Sequence, residues 1–264
     1  MSSNTKSTYS EAVLPIIHQV RETLLPFYGN VPFTEKNPTG KEDLLTELDT
    51  KVERFLRTEF KKLYPDIDFV GEEDGGDRTK ERFWLVDPID GTSHFVRGMP
   101  FCTTMVALID KGDVVFSAVY DFVNDVMYHA EKGRGAYRNN EPMSISTRPL
   151  RLSRIEVSIQ IDDPDRLQSY LALKKKCHIF HAGASGFELP LVALGKLDGS
   201  VHIGPGSKDY DVAPGLFLIK EAGGIVTNIG KQTYTYKDLD FIATNPAIHK
   251  ELTEGSDALF PVRE

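Results

Sequence analysis

A chain of 264 residues, 40% hydrophobic, 27% charged and 10% aromatic, can bury a large core in one domain or two closely joined halves. Its net charge of -8 and isoelectric point near 5.4 lack the positive footprint of a nucleic-acid polymer binder. Two cysteines, Cys102 and Cys177, are too few for a disulfide framework or a cysteine zinc site, and they suit a reducing, cytoplasmic compartment. No apolar run reaches the roughly 18 residues of a membrane span, and residues 1–8 lack a signal core and read as a mobile tail.

The first predicted helix lies within 9–27, with Val13, Ile16, Ile17, Val20 and Leu24 on one face and Pro15 obscuring its start. Residues 29–41, rich in Gly, Pro and charge, read as a loop. Leu45, Leu48, Val52, Phe55, Leu56, Phe60 and Leu63 then keep a helical spacing until Pro65. Asp49 and Glu53 lie one turn apart, off the densest part of that stripe. The period next changes to strands. Residues 67–70 and 83–86 each end in an acidic cluster, and 102–109 with 114–120 form a predicted hairpin around Lys111-Gly112-Asp113. Residues 126–130 add a strand, and the turn-rich stretch through Asn140 closes a first half, 1–146.

The second half, 147–264, opens with strands at 155–160 and 178–181 around a helix at 164–175. Gly183-Ala184-Ser185-Gly186 leads into a helix, followed by a strand at 199–203, an apolar helix at 212–222, strands at 225–227 and 241–244, and a C-terminal helix. Helices mixed with mostly hairpin-linked strands predict an α/β layered fold.

Chemistry concentrates in the acidic stretches. Asp87-Pro88-Ile89-Asp90-Gly91-Thr92 is the most specific, with two carboxylates, a glycine turn and a hydroxyl after an apolar strand. Carboxylates gathered there repel unless cations sit between them. The Ile89 carbonyl suits a hard cation, and Gly91-Thr92 can present N–H groups to a phosphate. The plainer reading, an Asp-Pro turn before a capped helix, explains less of the run. Glu72-Glu73-Asp74 alone reads as a solvated turn. Asp211 alone reads as a helix cap, Asp209 as a loop carboxylate and Asp49 as a polar helix position. A thiol nucleophile is not indicated at Cys177 or Cys102, and His94 divides evenly between a phosphate contact and a structural role.

Together these residues resemble the inositol monophosphatase superfamily of Mg²⁺-dependent, lithium-sensitive phosphatases. Residues 84–96 are similar to the first family signature, and Asp209-Tyr210-Asp211-Val212-Ala213-Pro214-Gly215 with Glu221-Ala222-Gly223-Gly224 to the second. Gly71-Glu72-Glu73 and Asp43-Leu44-Leu45-Thr46-Glu47-Leu48-Asp49 resemble the upstream motifs. The resemblance implies an alternating αβαβα sandwich, as a homodimer. It implies that Glu72, Asp87 and the Ile89 carbonyl hold one Mg²⁺, that Asp87, Asp90 and Asp211 hold a second, and that a third ion leans on Glu72. It further implies a phosphate on the N–H groups of Gly91 and Thr92, a water oriented by Glu72 and a Thr92–Asp49 pair, and a substrate pocket at Gly183, Ala184, Ser185 and Asp211. The implied activity is hydrolysis of a small phosphorylated metabolite, with no nucleic-acid polymer or membrane partner.

Three departures bear on the substrate. Gly204 stands seven residues before Asp211, where inositol-phosphate enzymes carry a ring-contacting glutamate. Gly183-Ala184-Ser185 replaces a Gly-Thr-Ala segment. A lysine expected before Asp43 is displaced, with Pro38 near its place and Lys36 or Lys41 as substitutes. The substrates left open are inositol phosphate, histidinol phosphate, fructose 1,6-bisphosphate and a 3′-phosphonucleotide. A non-catalytic metal- or phosphate-binding relative is the other class.

Overall fold

The computed structural model describes residues 8–36, 44–204 and 206–263. Helix α1 (Tyr9–His18) starts where the Thr8 hydroxyl accepts the Glu11 N–H and the Glu11 carboxylate accepts the Thr8 N–H. Pro15 therefore lies inside this helix and does not begin it. Helix α2 (Val20–Leu24) and a 3-10 turn at Leu25–Phe27 follow. Within the expected loop, β1 (Thr34–Glu35) pairs with β2 (Leu44–Leu45), while Pro38, Lys41 and Asp43 lie outside the described residues. Helix α3 (Glu47–Leu63) is capped by Thr46.

Strands β3 (Asp68–Gly71) and β4 (Arg82–Asp90) run parallel. After the short helix α4 (Thr92–Val96), β5 (Thr103–Asp110), β6 (Asp113–Asp121), β7 (Val126–Glu131), β8 (Ala136–Arg138) and β9 (Glu141–Pro142) extend the sheet antiparallel, giving a seven-stranded sheet in sequence order. The remainder alternates: β10 (Arg154–Ile159), α5 (Pro164–Lys176), β11 (His178–Phe180), α6 (Ser185–Ala193), β12 (Gly199–Ile203), α7 (Asp209–Glu221), β13 (Ile225–Asn228), β14 (Phe241–Thr244) and α8 (Pro246–Thr253). Its strands form a second sheet ordered β11-β10-β12-β14-β13, with β10 parallel to both neighbours.

The alternation of side chains along each strand assigns the layers. On β4 and β5, Trp84, Val86, Val106 and Leu108 face α1, α2 and α3, where Ile17, Leu24, Val52 and Phe60 pack on them. Phe83, Leu85, Met105 and Ala107 face the other way, onto Leu189 of α6 and Leu216 and Phe217 of α7. Phe241 and Ala243 of β14 join this middle layer, whereas Ile242 turns outward to Leu173 of α5 and Ile248 and Leu252 of α8. Helices and sheets thus alternate αβαβα, as the resemblance implies.

Phe60 is 1% exposed, and its ring packs at a tilt with centroids 4.8 Å from Trp84 and 6.2 Å from Phe69. Phe60→Ala should cost about 3–5 kcal/mol, read as a lower urea midpoint.

Candidate active site

Asp87 and Asp90 are three residues apart, so a regular strand would point them to opposite faces. The pairing of β4 with β5 shifts between them: Asp87 lies opposite Met105 and Asp90 opposite Thr103, so two β4 residues oppose Thr104 alone. This bulge turns both carboxylates to one side. It is pinned by the Thr104 hydroxyl, which donates to the Pro88 carbonyl at 2.8 Å, and by the Ile89 N–H, which donates to Asp87 Oδ1 at 3.0 Å. The strand expected to stop at Val86 therefore continues through the acidic motif itself.

Glu72 and Glu73 follow β3, on a loop built over a buried carboxylate of α3. Glu53 is fully buried and accepts the N–H groups of Glu73 at 2.7 Å and Asp74 at 3.0 Å. Arg57 donates to Glu53 at 2.8 Å and to the Phe69 and Gly75 carbonyls at 3.1 and 2.9 Å. A Cβ at Gly71 would lie 2.1 Å from the Glu53 carboxyl carbon, so glycine there makes room for the clamp. Lys36 donates to Glu72 at 2.7 Å and Glu73 at 2.6 Å, which makes it the described substitute for the displaced lysine.

Asp49, which alone reads as a polar helix position, is buried. Its Oδ2 accepts the Thr46 N–H at 2.8 Å and the Thr46 hydroxyl at 2.6 Å, and its Oδ1 lies 3.1 Å from the Thr92 hydroxyl. That hydroxyl also lies 2.8 Å from the Ile89 carbonyl. One proton faces two acceptors, so anything that engages the Ile89 oxygen directs it to Asp49. Gly91 has φ +78°, and a Cβ there would approach the Phe101 carbonyl to 2.3 Å, so position 91 tolerates glycine alone.

The second half supplies Asp211 and the wall of the cleft. Asp211 lies in the first turn of α7, with Oδ2 accepting the Lys208 N–H at 2.7 Å. Asp209 is also helical, contrary to expectation, and is bound through both oxygens by Arg78. Gly186 donates its N–H to Asp90 Oδ2 at 2.8 Å. A Cβ at Gly186 would meet Thr103 Oγ1 at 1.9 Å, so its absence lets α6 approach β4 and β5. Ala184 and Ser185 are buried beside it, and Gly183, with φ +82°, would carry a Cβ 3.7 Å from His94 Nε2. His94 itself packs edge-on against Phe101. At Gly204, with φ +100°, a Cβ would lie 2.7 Å from Arg166 Nη1, so a guanidinium fills the space beside that position.

Charge at this centre is frustrated. Burial, then Glu72, Asp90 and Asp211, push Asp87 well above the ordinary carboxylate range. Burial and Asp211 do the same to Asp90, against the Gly186 N–H. Burial raises Asp211 to about 7 against the Lys208 N–H, with Glu72 adding to the rise. Burial also raises Glu73 to about 7, against Lys36. Burial raises Asp49, opposed by its Thr46 and Thr92 hydrogen bonds. Cys177 is raised to about 11 by burial, which keeps it a thiol at neutral pH.

The structure thus brings Glu72, Asp87, Ile89, Asp90, Gly91, Thr92, Asp49 and Asp211 to one region, with residues 183–185 at its edge. The sequence reading missed the supporting roles of Glu53 and Gly186. Glu53 had one signal, a carboxylate one turn after Asp49 on the same helix.

An αβαβα sandwich with buried carboxylates on a strand bulge and a helix start is an architecture for cation-assisted hydrolysis. Residues 11–258 match the Inositol monophosphatase family, and the chain belongs to that family. It is a phosphoric monoester hydrolase. The chain is 30% identical over 246 residues to the fructose-1,6-bisphosphatase/inositol-1-monophosphatase of Thermotoga maritima, covering 91% of this chain and 93% of that one. It is 32% identical to the inositol-1-monophosphatase of Bacillus subtilis, over 84% of this chain and 85% of that one. The solved Thermotoga maritima IMPase superposes with a TM-score of 0.81 at 29% identity, over 90% of this chain and 92% of that one.

Two predictions follow the geometry. Glu53→Ala strands two N–H groups and Arg57. It should cost about 2–4 kcal/mol and lower kcat, measured by urea unfolding and turnover. For pH, a carboxyl held at about 7 keeps its proton in the folded state while the unfolded chain ionises near 3.8. The folded state then binds more protons between those values, so stability falls as pH rises from about 4 through 7. The melting temperature in EDTA should drop across this window, and Asp211→Asn should flatten the drop. A profile of unchanged slope in the variant contradicts the assignment.

Proposed function

We propose that this chain hydrolyses a small phosphate monoester of the inositol monophosphate type with Mg²⁺, using Glu72, Asp87, the Ile89 carbonyl, Asp90 and Asp211 as the cation-binding set. The observation that carries this reading is the set of buried, mutually repelling carboxylates. Their donors are carboxylate and carbonyl oxygens throughout, the chemistry a hard divalent ion takes, and a cation between them relieves the repulsion that raises their pKa values. When bound there, Mg²⁺ supplies polarisation of phosphoryl oxygens, a lowered pKa for water and charge compensation for the leaving oxygen.

The chain's own residues do the positioning. The N–H groups of Gly91 and Thr92 would hold the phosphate at the end of β4. Thr92, donating to Asp49 at 3.1 Å, keeps its lone pairs free to accept a hydrogen bond from the attacking water, and Glu72 orients that water from the other side. Gly183, Ala184, Ser185 and Asp211 border the alcohol half of the substrate. Residues 1–146 carry most of this set and 147–264 complete it, a division supported by the break between the sheets after Pro142. We read the chain as a cytoplasmic homodimer. The location is supported by two unpaired thiols, and the assembly by the family resemblance.

One observation favours a second substrate reading. Arg166 stands beside Gly204, where inositol-phosphate enzymes of the family carry a glutamate. A cation replacing a carboxylate suits a substrate with a second anionic group, such as fructose 1,6-bisphosphate or a 3′-phosphonucleotide, better than histidinol phosphate. Among the described residues the guanidinium has no ion pair or hydrogen bond, so it is available for one.

Phosphate release from inositol 1-phosphate, histidinol phosphate, fructose 1,6-bisphosphate and a 3′-phosphonucleotide tests both readings. Turnover should require Mg²⁺ and fall by about 10²–10³-fold or more in Asp90→Asn. Arg166→Ala should raise KM for the doubly anionic substrates alone. Folded protein that binds Mg²⁺ but turns over none of them would favour a binding protein.

A further inference from the structure

Among the described residues, the one set of three potential ligand atoms lying within 4.8 Å of one another belongs to Glu156, His181 and Glu188, not to the carboxylates above. Glu156 is on β10, His181 follows β11 and Glu188 is on α6. All three come together next to the parallel strands β10 and β11. His181 Nδ1 lies 3.6 Å from Glu156 Oε1 and 3.7 Å from Glu188 Oε1. These separations are too long for a hydrogen bond to either oxygen. They are close to the roughly 3.4 Å between neighbouring ligands that bonds of about 2.1 Å make at a tetrahedral angle.

An independent observation points to a ligand. Glu156 is fully buried, yet its Oε1, the oxygen facing His181, has no hydrogen-bond partner. A buried carboxylate oxygen without a partner is costly. Its other oxygen is fully engaged. Oε2 accepts the Ser200 hydroxyl and lies 2.9 Å from His202 Nε2, and the His202 ring is held by stacking on Phe241 at 4.4 Å. Glu188 is likewise fixed, because its Oε1 accepts the N–H groups of Ala182 and Gly183. In Glu156 one oxygen is pinned while the oxygen facing His181 is left for something else, as outer contacts orient the ligands of a metal, whereas the Glu188 oxygen nearest His181 is itself the one held by the two N–H groups.

We propose that Glu156, His181 and Glu188 form a binding site for a borderline divalent cation such as Zn²⁺. An imidazole nitrogen with two carboxylates suits Zn²⁺ better than Mg²⁺, which prefers oxygen donors and retains its water. The Ser200 hydroxyl and His202 on its other oxygen favour the charged form of Glu156. The His181 side chain is 54% exposed, leaving a further coordination position open to water or to a substrate hydroxyl beside Gly183. Because Glu188 also anchors Ala182 and Gly183, occupancy would stiffen the segment leading to Gly186, whose N–H holds Asp90.

The test is calorimetric titration of the full chain with Zn²⁺ in a large excess of Mg²⁺. One equivalent should bind, persist in Asp211→Asn and disappear in His181→Ala, whose half-exposed position makes loss of folding avoidable and checkable by circular dichroism. Ser200→Ala should weaken binding by about 10–100-fold, as removal of an outer contact does. Absence of Zn²⁺ binding in the wild type overturns the proposal, as does binding that survives His181→Ala and is lost in Asp211→Asn. So does a His181 imidazole that titrates by NMR with a raised pKa and does not respond to Zn²⁺.

Discussion

Like charges held together in a poorly solvated interior are the constraint around which this molecule is arranged. Asp87 and Asp90 share one side of β4 only because the strand bulges between them, and the bulge has its own hydrogen bonds. Asp211 reaches the same place from the start of α7, and the α6 N–H of Gly186 is donated directly to Asp90. Asp87, Asp90 and Asp211 each accept one fixed backbone N–H on one oxygen. Such an arrangement stores repulsion in the folded state, and a divalent cation is the natural means of removing it.

The layers explain how the fold tolerates that repulsion. Alternating side chains on β4 and β5 anchor the strand on two apolar sides, with Trp84 and Val86 under α3 and Leu85 and Met105 against α6 and α7. The acidic end of β4 extends from a strand gripped on both faces, so unfavourable electrostatics at the tip are offset by burial along its length. The Glu53–Arg57 clamp does the same for the loop carrying Glu72, and Gly71 and Gly186 are small because a side chain would block these approaches.

Two cation sites of different character would then lie on either side of the α6 start. The carboxylate set is hard and oxygen-only. The Glu156–His181–Glu188 set includes a nitrogen donor and sits under the segment that borders the substrate cleft. Arg166 beside Gly204 adds a positive group near the same strand ends.

Much of the architecture was legible in the sequence because its causes are local. The apolar runs at 102–109 and 114–120 around the Lys111-Gly112-Asp113 turn and the helical stripe from Leu48 to Leu63 are set by contacts within a few residues, whereas Leu45, expected on that stripe, lies in β2. The acidic motifs, including Asp87–Thr92 and Asp211, were likewise visible as short runs. What only the tertiary structure decided depends on packing between distant segments. Asp49 and Glu53 are buried because the 71–75 loop and α4 close over α3, and Asp209 meets an arginine 131 positions away. Gly186 and Asp90 are 96 positions apart, and Glu156 and His202 are 46 apart. The electrostatic environment of a group is set by whatever folds against it, and a linear spacing carries no record of that.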